Sequence, residues 1–596
     1  MLQNTLSTNF VPGTNLTGGL ARASWRFLLP SLELDNVLCL GVPAAATLNV
    51  LATISAAITM ASTNAGQLET AHGELEPQVK AKVRTAHITD FCQLPLADKS
   101  VSLVFFAGKK ELAGMLRDAS LPAALDRLLK DDGAIYLEIK NLSDRRATRL
   151  MIRKLASCGF NTPRKFWLTP LRGELRTAFP LDDDRMAKYL FTNVLFGQSL
   201  KMRALSSAGV WLSQARLLRS VTPRRAILLQ RSPRHDNLQP PPEYLVSIAE
   251  KSGVDLSGLQ CGLSARGKFN ANKNIFYLFD RDGKKAKAVI KMTRAPEFNS
   301  RLENEYHVLF TLQEKGFVDP ATFPEPLFFG DHAKLALLGQ KAVHGEPFRS
   351  RTKATVDCPI AHDAINWIVK LGTASSNQSA ATAAQVGEAL MKLFKRFAEI
   401  YPLAKFEADF LAAQIAAISD FSGKFPLVFQ HGDPGTWNML VSASGRVIVI
   451  DWEAGEPEGM PLWDLFYFMR TYGSWVSRVQ GSKDPLENFT RNFLEPSALH
   501  ALLAETTRRY CAGAGLAADL IAPLFYTCWM HRSLKEATRL PKDSLQKGVF
   551  FNLLRRCIEQ RNSPALNSLF SLNGEIKSEK QVNFVQSKSE KIPADV

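Results

Sequence analysis

Asp433 and Asn438 lie five positions apart in the run His431-Gly432-Asp433-Pro434-Gly435-Thr436-Trp437-Asn438, and Asp451 closes the apolar run Val447-Ile448-Val449-Ile450. Two acids and one amide in this order suit phosphoryl transfer from ATP to a hydroxyl. The first acid, Asp433, can orient an acceptor hydroxyl and take its proton. Asn438 and Asp451, both hard oxygen donors, can hold Mg²⁺ against the polyphosphate. The bland alternative, two unrelated acids near a strand, fits the spacing, the apolar run and the flanking residues less well.

These residues need a scaffold, and 596 residues are too many for one core. Residues 25–230 read as alternating strands and helices. Strands are predicted at 36–41, 58–60, 101–106 and 134–139, with helices at 47–56 and 121–129, the latter closed by Asp132-Gly133. Such alternation predicts a parallel sheet covered on both faces. Residues 231–242, ending Gln239-Pro240-Pro241-Pro242, read as a linker, because consecutive prolines continue neither a helix nor a central strand. A second domain begins at 243. Strands are predicted at 274–279 and 287–292 around the hairpin signal Asp282-Gly283. Helices are predicted at 301–312, 360–374, 384–400 and 407–418 and through most of 461–570. Residues 1–24 read as an extension and 573–596 as a polar, disordered tail.

The net charge of +16 comes from scattered Lys and Arg. No dedicated nucleic-acid domain is expected; affinity for phosphorylated ligands is, and peripheral association with an anionic membrane or a glycan-assembly system stays open. Eight widely spaced cysteines without a C-x-x-C pair predict buried thiols in a reducing cytoplasm. No signal peptide is expected in residues 1–20. Residues 37–63 carry no charge, yet Gly41, Pro43 and Asn49 interrupt them, so a strand, a turn, a buried helix and a second strand are expected rather than a membrane span.

Residues 243–570 resemble the aminoglycoside phosphotransferase / choline kinase group through His431-Gly432-Asp433, Asn438, Ile450-Asp451-Trp452-Glu453 and Pro461-Leu462-Trp463-Asp464-Leu465. The resemblance implies an α+β, bilobal, protein-kinase-like fold with lobes over 243–345 and 346–572. It implies Asp433 as the catalytic residue, Asn438 and Asp451 as metal ligands, and Asp464 as a brace of the catalytic loop. It also implies ATP and Mg²⁺. Lys291, ending an apolar strand, suits the α- and β-phosphates. Glu305, with Glu303 as its rival, is placed to pair with that lysine. Residues 337–347, with Gln340 and Ala342, resemble the hinge that meets adenine. In Ser264-Ala265-Arg266-Gly267-Lys268, contact of Arg266, Gly267 and Lys268 with phosphate and a solvated hairpin tip are both open readings. Pro434-Gly435-Thr436-Trp437 depart from the commoner family form, which affects the acceptor pocket. His431 is expected to pack as scaffold; Trp437 and Trp452 are expected to pack in the core ahead of lining an acceptor site.

Residues 25–230 resemble an α/β, Rossmann-like, class I S-adenosylmethionine-dependent methyltransferase through Val37-Leu38-Cys39-Leu40-Gly41, Leu94-Pro95-Leu96-Ala97-Asp98-Lys99-Ser100 and Leu128-Leu129-Lys130-Asp131-Asp132-Gly133. Val42-Pro43-Ala44-Ala45 replace a glycine-rich turn, and no acid ends the second strand. A degenerate domain, structural or substrate-presenting, is therefore expected, and S-adenosylmethionine is not expected to bind. Asp90 could still lie near an adenine-type position. The combined expectation is a cytoplasmic kinase acting on a hydroxyl of a small molecule or a carbohydrate. The pairing of modules resembles the bifunctional methyltransferase–kinases that terminate bacterial O-antigen polysaccharides. A bifunctional methyltransferase–kinase and a non-catalytic scaffold in polysaccharide biosynthesis are the alternatives.

Overall fold

The computed structural model describes residues 19–107, 118–139, 142–160, 163–170, 175–180, 183–195, 200–215, 217, 224–231, 240–267, 269–281, 284–376 and 379–571. The core of the expected linker (232–239), Lys268, Asp282-Gly283, residues 1–18 and the expected tail lie outside them.

In the N-terminal half, β1 (Leu34–Leu40), β2 (Ser55–Ser62), β3 (Val83–His87), β4 (Val101–Phe106) and β5 (Leu129–Ile139) run parallel in the order β3-β2-β1-β4-β5. The order reverses at β1, a doubly wound arrangement that combines the parallel sheet the alternation predicted with the methyltransferase-like layout the resemblance implied. β1 and β4 carry the apolar runs 37–40 and 103–106, and alternate residues of β1 enter apolar cores on the two faces of the sheet. The uncharged stretch 37–63 forms the rest of β1, helix Ala45–Ile54 and β2. Among the described residues, no helix is long and apolar enough to cross a membrane. One expectation is corrected: helix Leu121–Leu128 is not closed by Asp132-Gly133, which lie within β5. The register jumps there from Val101↔Leu129 to Leu103↔Ala134, so residues 130–133 are accommodated as an irregularity rather than a turn.

The sheet then continues where separate domains were expected. β8 (Arg225–Gln230) pairs antiparallel with β5 and with β6 (Arg164–Thr169), and β6 pairs with β7 (Thr177–Pro180). β7 in turn pairs with β9 (Gln260–Ser264), beyond the proline run, through Thr177↔Ser264 and Ala178↔Leu263. β10 (Asn274–Phe279), β11 (Ala286–Met292), β13 (Leu335–Lys341) and β12 (Pro326–His332) complete an antiparallel kinase-like sheet. Thirteen strands of the described residues thus form one continuous sheet.

Side chains reinforce the junction. Trp25, Phe27 and Leu34 share one apolar core with Tyr244, Leu263, Ile290 and Phe328. The Tyr244 hydroxyl donates to Phe27 O (3.0 Å), and its ring stacks on His332. Arg26 donates to Arg294 O (2.9 Å). Trp25 and Phe27 lie on the helical segment Gly19–Leu28 and are buried.

The C-terminal half is helical, as its periodicity predicted. Helices Pro359–Ser375, Ala383–Ile400, Lys405–Ser419, Trp463–Val479, Ala498–Ala514, Ile521–Ala537 and Val549–Glu559 enclose a large apolar core. Two small sheets lie among them: β14 (Glu346–Pro347) with β17 (Met439–Val441) and β18 (Val447–Val449), and β15 (Ser379–Ala381) with β16 (Phe425–Gln430) and β19 (Glu456–Gly459). All eight cysteines are free, and all but Cys92 and Cys158 are buried.

Because the core and sheet cross the junction, both halves should unfold in one calorimetric transition. Tyr244→Ala should destabilise the whole chain by about 3–5 kcal/mol and Tyr244→Phe by about 1 kcal/mol, read from urea midpoints. Two separate transitions would contradict this.

Candidate active site

β16 ends at Gln430 and the chain turns sharply through His431-Gly432-Asp433. Gly432 has φ 75°, and a Cβ there would lie 1.8 Å from Ala454 O, so only glycine fits. The turn hangs from Asp464 in the first turn of helix Trp463–Val479. Its two carboxylate oxygens accept from the backbone N–H groups of His431 (2.6 Å) and Gly432 (3.0 Å). Burial raises the Asp464 pKa despite the opposing pull of His431 and Arg532. His431 is buried and packs on Trp452, with Nε2 3.0 Å from Ile450 O, a scaffold residue as expected.

Asp433 is half-buried and projects from this support. Arg532 donates to Asp433 Oδ1 (3.4 Å), and Asn438 Nδ2 donates to Asp433 O (3.0 Å) and Oδ2 (3.3 Å). With Nδ2 directed at Asp433, the Asn438 carbonyl oxygen faces the other way. The backbone joins Asn438 to the next strand through Ile450 N donating to Asn438 O (2.9 Å), which brings Asp451 alongside. Asp451 has φ 69°, a region a non-glycine residue enters at about 1–3 kcal/mol.

Across the cleft, Lys291 on β11 ion-pairs with Glu305 of helix Asn299–Lys315. Glu305, rather than Glu303, therefore faces the lysine. Glu305 is fully buried, and its Oε1 also accepts from Gln340 Nε2 (3.2 Å) and Trp452 N (3.3 Å). Lys291 lies 3.7 Å from Asp451 Oδ1.

Lys273, at the start of β10, is a site residue that sequence reasoning missed. Its ammonium ion-pairs with Asp451 and lies 3.3 Å from Glu305 Oε2 and 3.0 Å from Glu453 Oε2. Nothing in Asn272-Lys273-Asn274 distinguishes it from a solvated hairpin lysine; only the pairing of β10 with β11 turns it inward. Burial would raise the Asp451 carboxyl, but Lys273 and Lys291 outweigh it and hold the group well below the usual range; Glu305 is lowered in the same way. Arg532 and Lys535, on helix Ile521–Ala537, were also missed. The Arg532 guanidinium lies 3.4 Å from the Tyr467 ring centroid, and Lys535 donates to Gly432 O (3.3 Å).

Several expected contacts differ. Arg266 donates to Val194 O in the N-terminal half, so it braces the junction instead of facing phosphate. Gly267, at φ 97°, shapes a turn whose carbonyls at Arg266, Gly267 and Phe269 accept from the buried Arg294. Gln340 lies inside β13 and reaches Glu305 with its side chain. The Ala342 N–H already donates to Lys287 O (3.0 Å), because the pairing of β11 with β13 runs one residue past the strand; that N–H is not open to adenine. Trp452 packs in the core, whereas Trp437 is 51% exposed. Asp90 caps a short turn, accepting from Cys92 N (2.9 Å).

The phosphotransferase enzyme family model matches residues 268–505. That match contains every residue of the cleft described above except Arg532 and Lys535. No curated protein matches the chain. Among solved structures, an aminoglycoside-3'-phosphotransferase of type VIII is 17% identical (TM-score 0.26), covering 42% of this chain and 88% of its own. A geranyl diphosphate methyltransferase in complex with SAM is 12% identical (TM-score 0.21), covering 36% of this chain and 84% of its own. A TehB-like SAM-dependent methyltransferase from Corynebacterium glutamicum is 11% identical (TM-score 0.21), covering 36% and 88%. The C-terminal region is phosphotransferase-like.

Glu456, on β19 beneath the loop, accepts from Gln430, and burial pushes it up to about 7 from an ordinary 4.5. A raised carboxyl binds a proton on folding between those two values, so its contribution to stability declines as pH rises from about 4.5 to 7. Glu456→Gln should therefore gain stability over the wild type from pH 5 to pH 8 in urea titrations. A constant difference would mean that Glu456 is already ionised in the fold at pH 5.

Proposed function

We propose that the chain is an ATP-dependent phosphotransferase acting on an alcohol group. The observation that carries this is one cleft holding Asp433 and Asn438 on one wall, the Lys291–Glu305 pair on the other, and Asp451 between. The family match covers the same cleft.

Phosphoryl transfer asks mainly for alignment and charge neutralisation. Asp433, held by Arg532 and Asn438, would align the acceptor hydroxyl and receive its proton. Lys291, held by Glu305, would bind the α- and β-phosphates. Lys273 would join it, or exchange its contact with Asp451 for one with phosphate. The donor set fits magnesium: Asn438 and Asp451 offer hard oxygens, and Mg²⁺ is commonly held by one or two carboxylates with substrate phosphates completing its shell. Asp451 uses Oδ1 for Lys273, which leaves Oδ2 for a metal. When bound, the ion would offset negative charge on the polyphosphate.

For the N-terminal half we infer a structural role. β2 ends on Ser62, whose hydroxyl accepts from Asn64 N (3.1 Å), with no acid there for ribose hydroxyls. Its contacts instead reach Arg266 and Arg294, whose guanidinium in turn holds the Arg266 and Gly267 carbonyls.

Asp433→Asn should lower kcat at least about 10²-fold while leaving calorimetric binding of Mg·ATP near wild type. Lys291→Ala should weaken that binding. A folded wild-type protein that binds no Mg·ATP would favour the scaffold reading.

A further inference from the structure

Beside the loop that carries Asp433 lies a cavity of about 200 Å³, bounded by Arg349, Trp437, Arg470, Ser474, Arg478 and Asn488 among others. Its chemistry is one-sided. Three guanidinium groups line it and no acidic side chain does. Such a concentration of cations in a partly enclosed space creates a strong anion-attracting field.

The walls also hold polar atoms with no partner. Asn488 is fully buried, yet neither its amide nitrogen nor its amide oxygen makes a hydrogen bond. Ser474 Oγ and Arg470 Nε are buried and unpartnered as well. Buried polar groups are nearly always satisfied, so a cluster of four unsatisfied atoms around one cavity points to a ligand that supplies their partners. Burial lowers the Arg470 and Arg349 guanidinium pKa values; at Arg470, Tyr467 and Glu536, which do not line the cavity, oppose the shift, and the neighbouring Arg478 lowers both groups further.

The cavity is tied to the chemistry. Arg349 Nε donates to Thr436 Oγ1 (2.9 Å), three residues beyond Asp433. Trp437 stands edge-on to Tyr467 at 6.3 Å and lies against Gly435, where a Cβ would come within 2.4 Å of the indole. Its exposed ring is thus an oriented apolar platform, suited to the C–H face of a sugar.

We propose that this cavity is the acceptor subsite and that it takes an anionic sugar, with a phosphate or carboxylate on the arginines and the ring against Trp437. This rests on the phosphotransferase reading and narrows its substrate class. Polycationic acceptors such as aminoglycosides are disfavoured by like charge.

The test is calorimetry on the full chain with four probes, glucose 6-phosphate, glucuronate, glucose and kanamycin, and separately with Mg·ATP. At least one anionic sugar should bind at least about tenfold more tightly than glucose, and Arg478→Gln should remove at least about tenfold of that affinity. Arg470→Lys, which keeps the charge and alters the fork, should weaken it too. The preferred anionic probe distinguishes phosphate from carboxylate. Binding of kanamycin in preference, no binding of either anionic sugar, or binding unchanged by both substitutions would overturn the proposal. Mg·ATP binding without anionic-sugar binding would remove this inference alone. Anionic-sugar binding without Mg·ATP binding would remove the kinase reading and leave an anion-binding cavity.

Discussion

The carboxylate of Glu305 has no exposed surface, and a buried charge persists only where it is surrounded by donors and counter-charges. Meeting that requirement draws together Lys291 from β11, Lys273 from the start of β10, Gln340 from β13 and the Trp452 N–H that follows Asp451. The sheet, its helix and the second acid of the cleft are therefore positioned by one side chain. Asp451 takes its unusual backbone conformation inside the same network, with both lysines compensating its charge.

A second suspension acts on the other wall. Asp464 holds the backbone of His431 and Gly432 from below, and Arg532 and Asn438 hold the Asp433 side chain from the sides. Charges alternate across this region: acids at 433, 456 and 464 face cations at 532 and 535. One pocket away the balance fails, and Arg349, Arg470 and Arg478 have no acids among the cavity-lining residues. The contrast between a loop with paired charges and a cavity lined by cations alone is what gives the cavity its chemical character.

The N-terminal half enters this arrangement through the sheet. β7 extends the kinase-like sheet at β9, and Arg26 and Arg266 link the two halves near the turn that Arg294 organises. A Rossmann-like layer here acts as an added wall of the lobe that carries Lys291 and Glu305, and its core is continuous with that lobe's.

Much of this was legible in the linear chain. The order of Asp433, Asn438 and Asp451 is local, set by one loop and one short hairpin, so spacing alone announced it. The 3.6-residue periods of the C-terminal helices and the apolar runs of β1 and β4 were equally plain, because burial imposes them residue by residue. What stayed hidden depends on contacts far apart in sequence. Lys273 reads as a surface lysine until β10 pairs with β11. Arg266 reads equally as a phosphate contact or a solvated hairpin tip until Val194, 72 positions earlier, takes its guanidinium. Trp437 reads as core until the loop turns it outward beside Tyr467. The sequence by itself determined which acids, amide and lysine could serve phosphoryl transfer and where most of the elements lie, since those follow from residue type and local period. Only the tertiary structure decided that two modules share one sheet and that Arg349 from one helix meets Arg470 and Arg478 from another around a cavity with no acid in its lining, since edge pairing and charge balance are properties of space rather than of order along the chain.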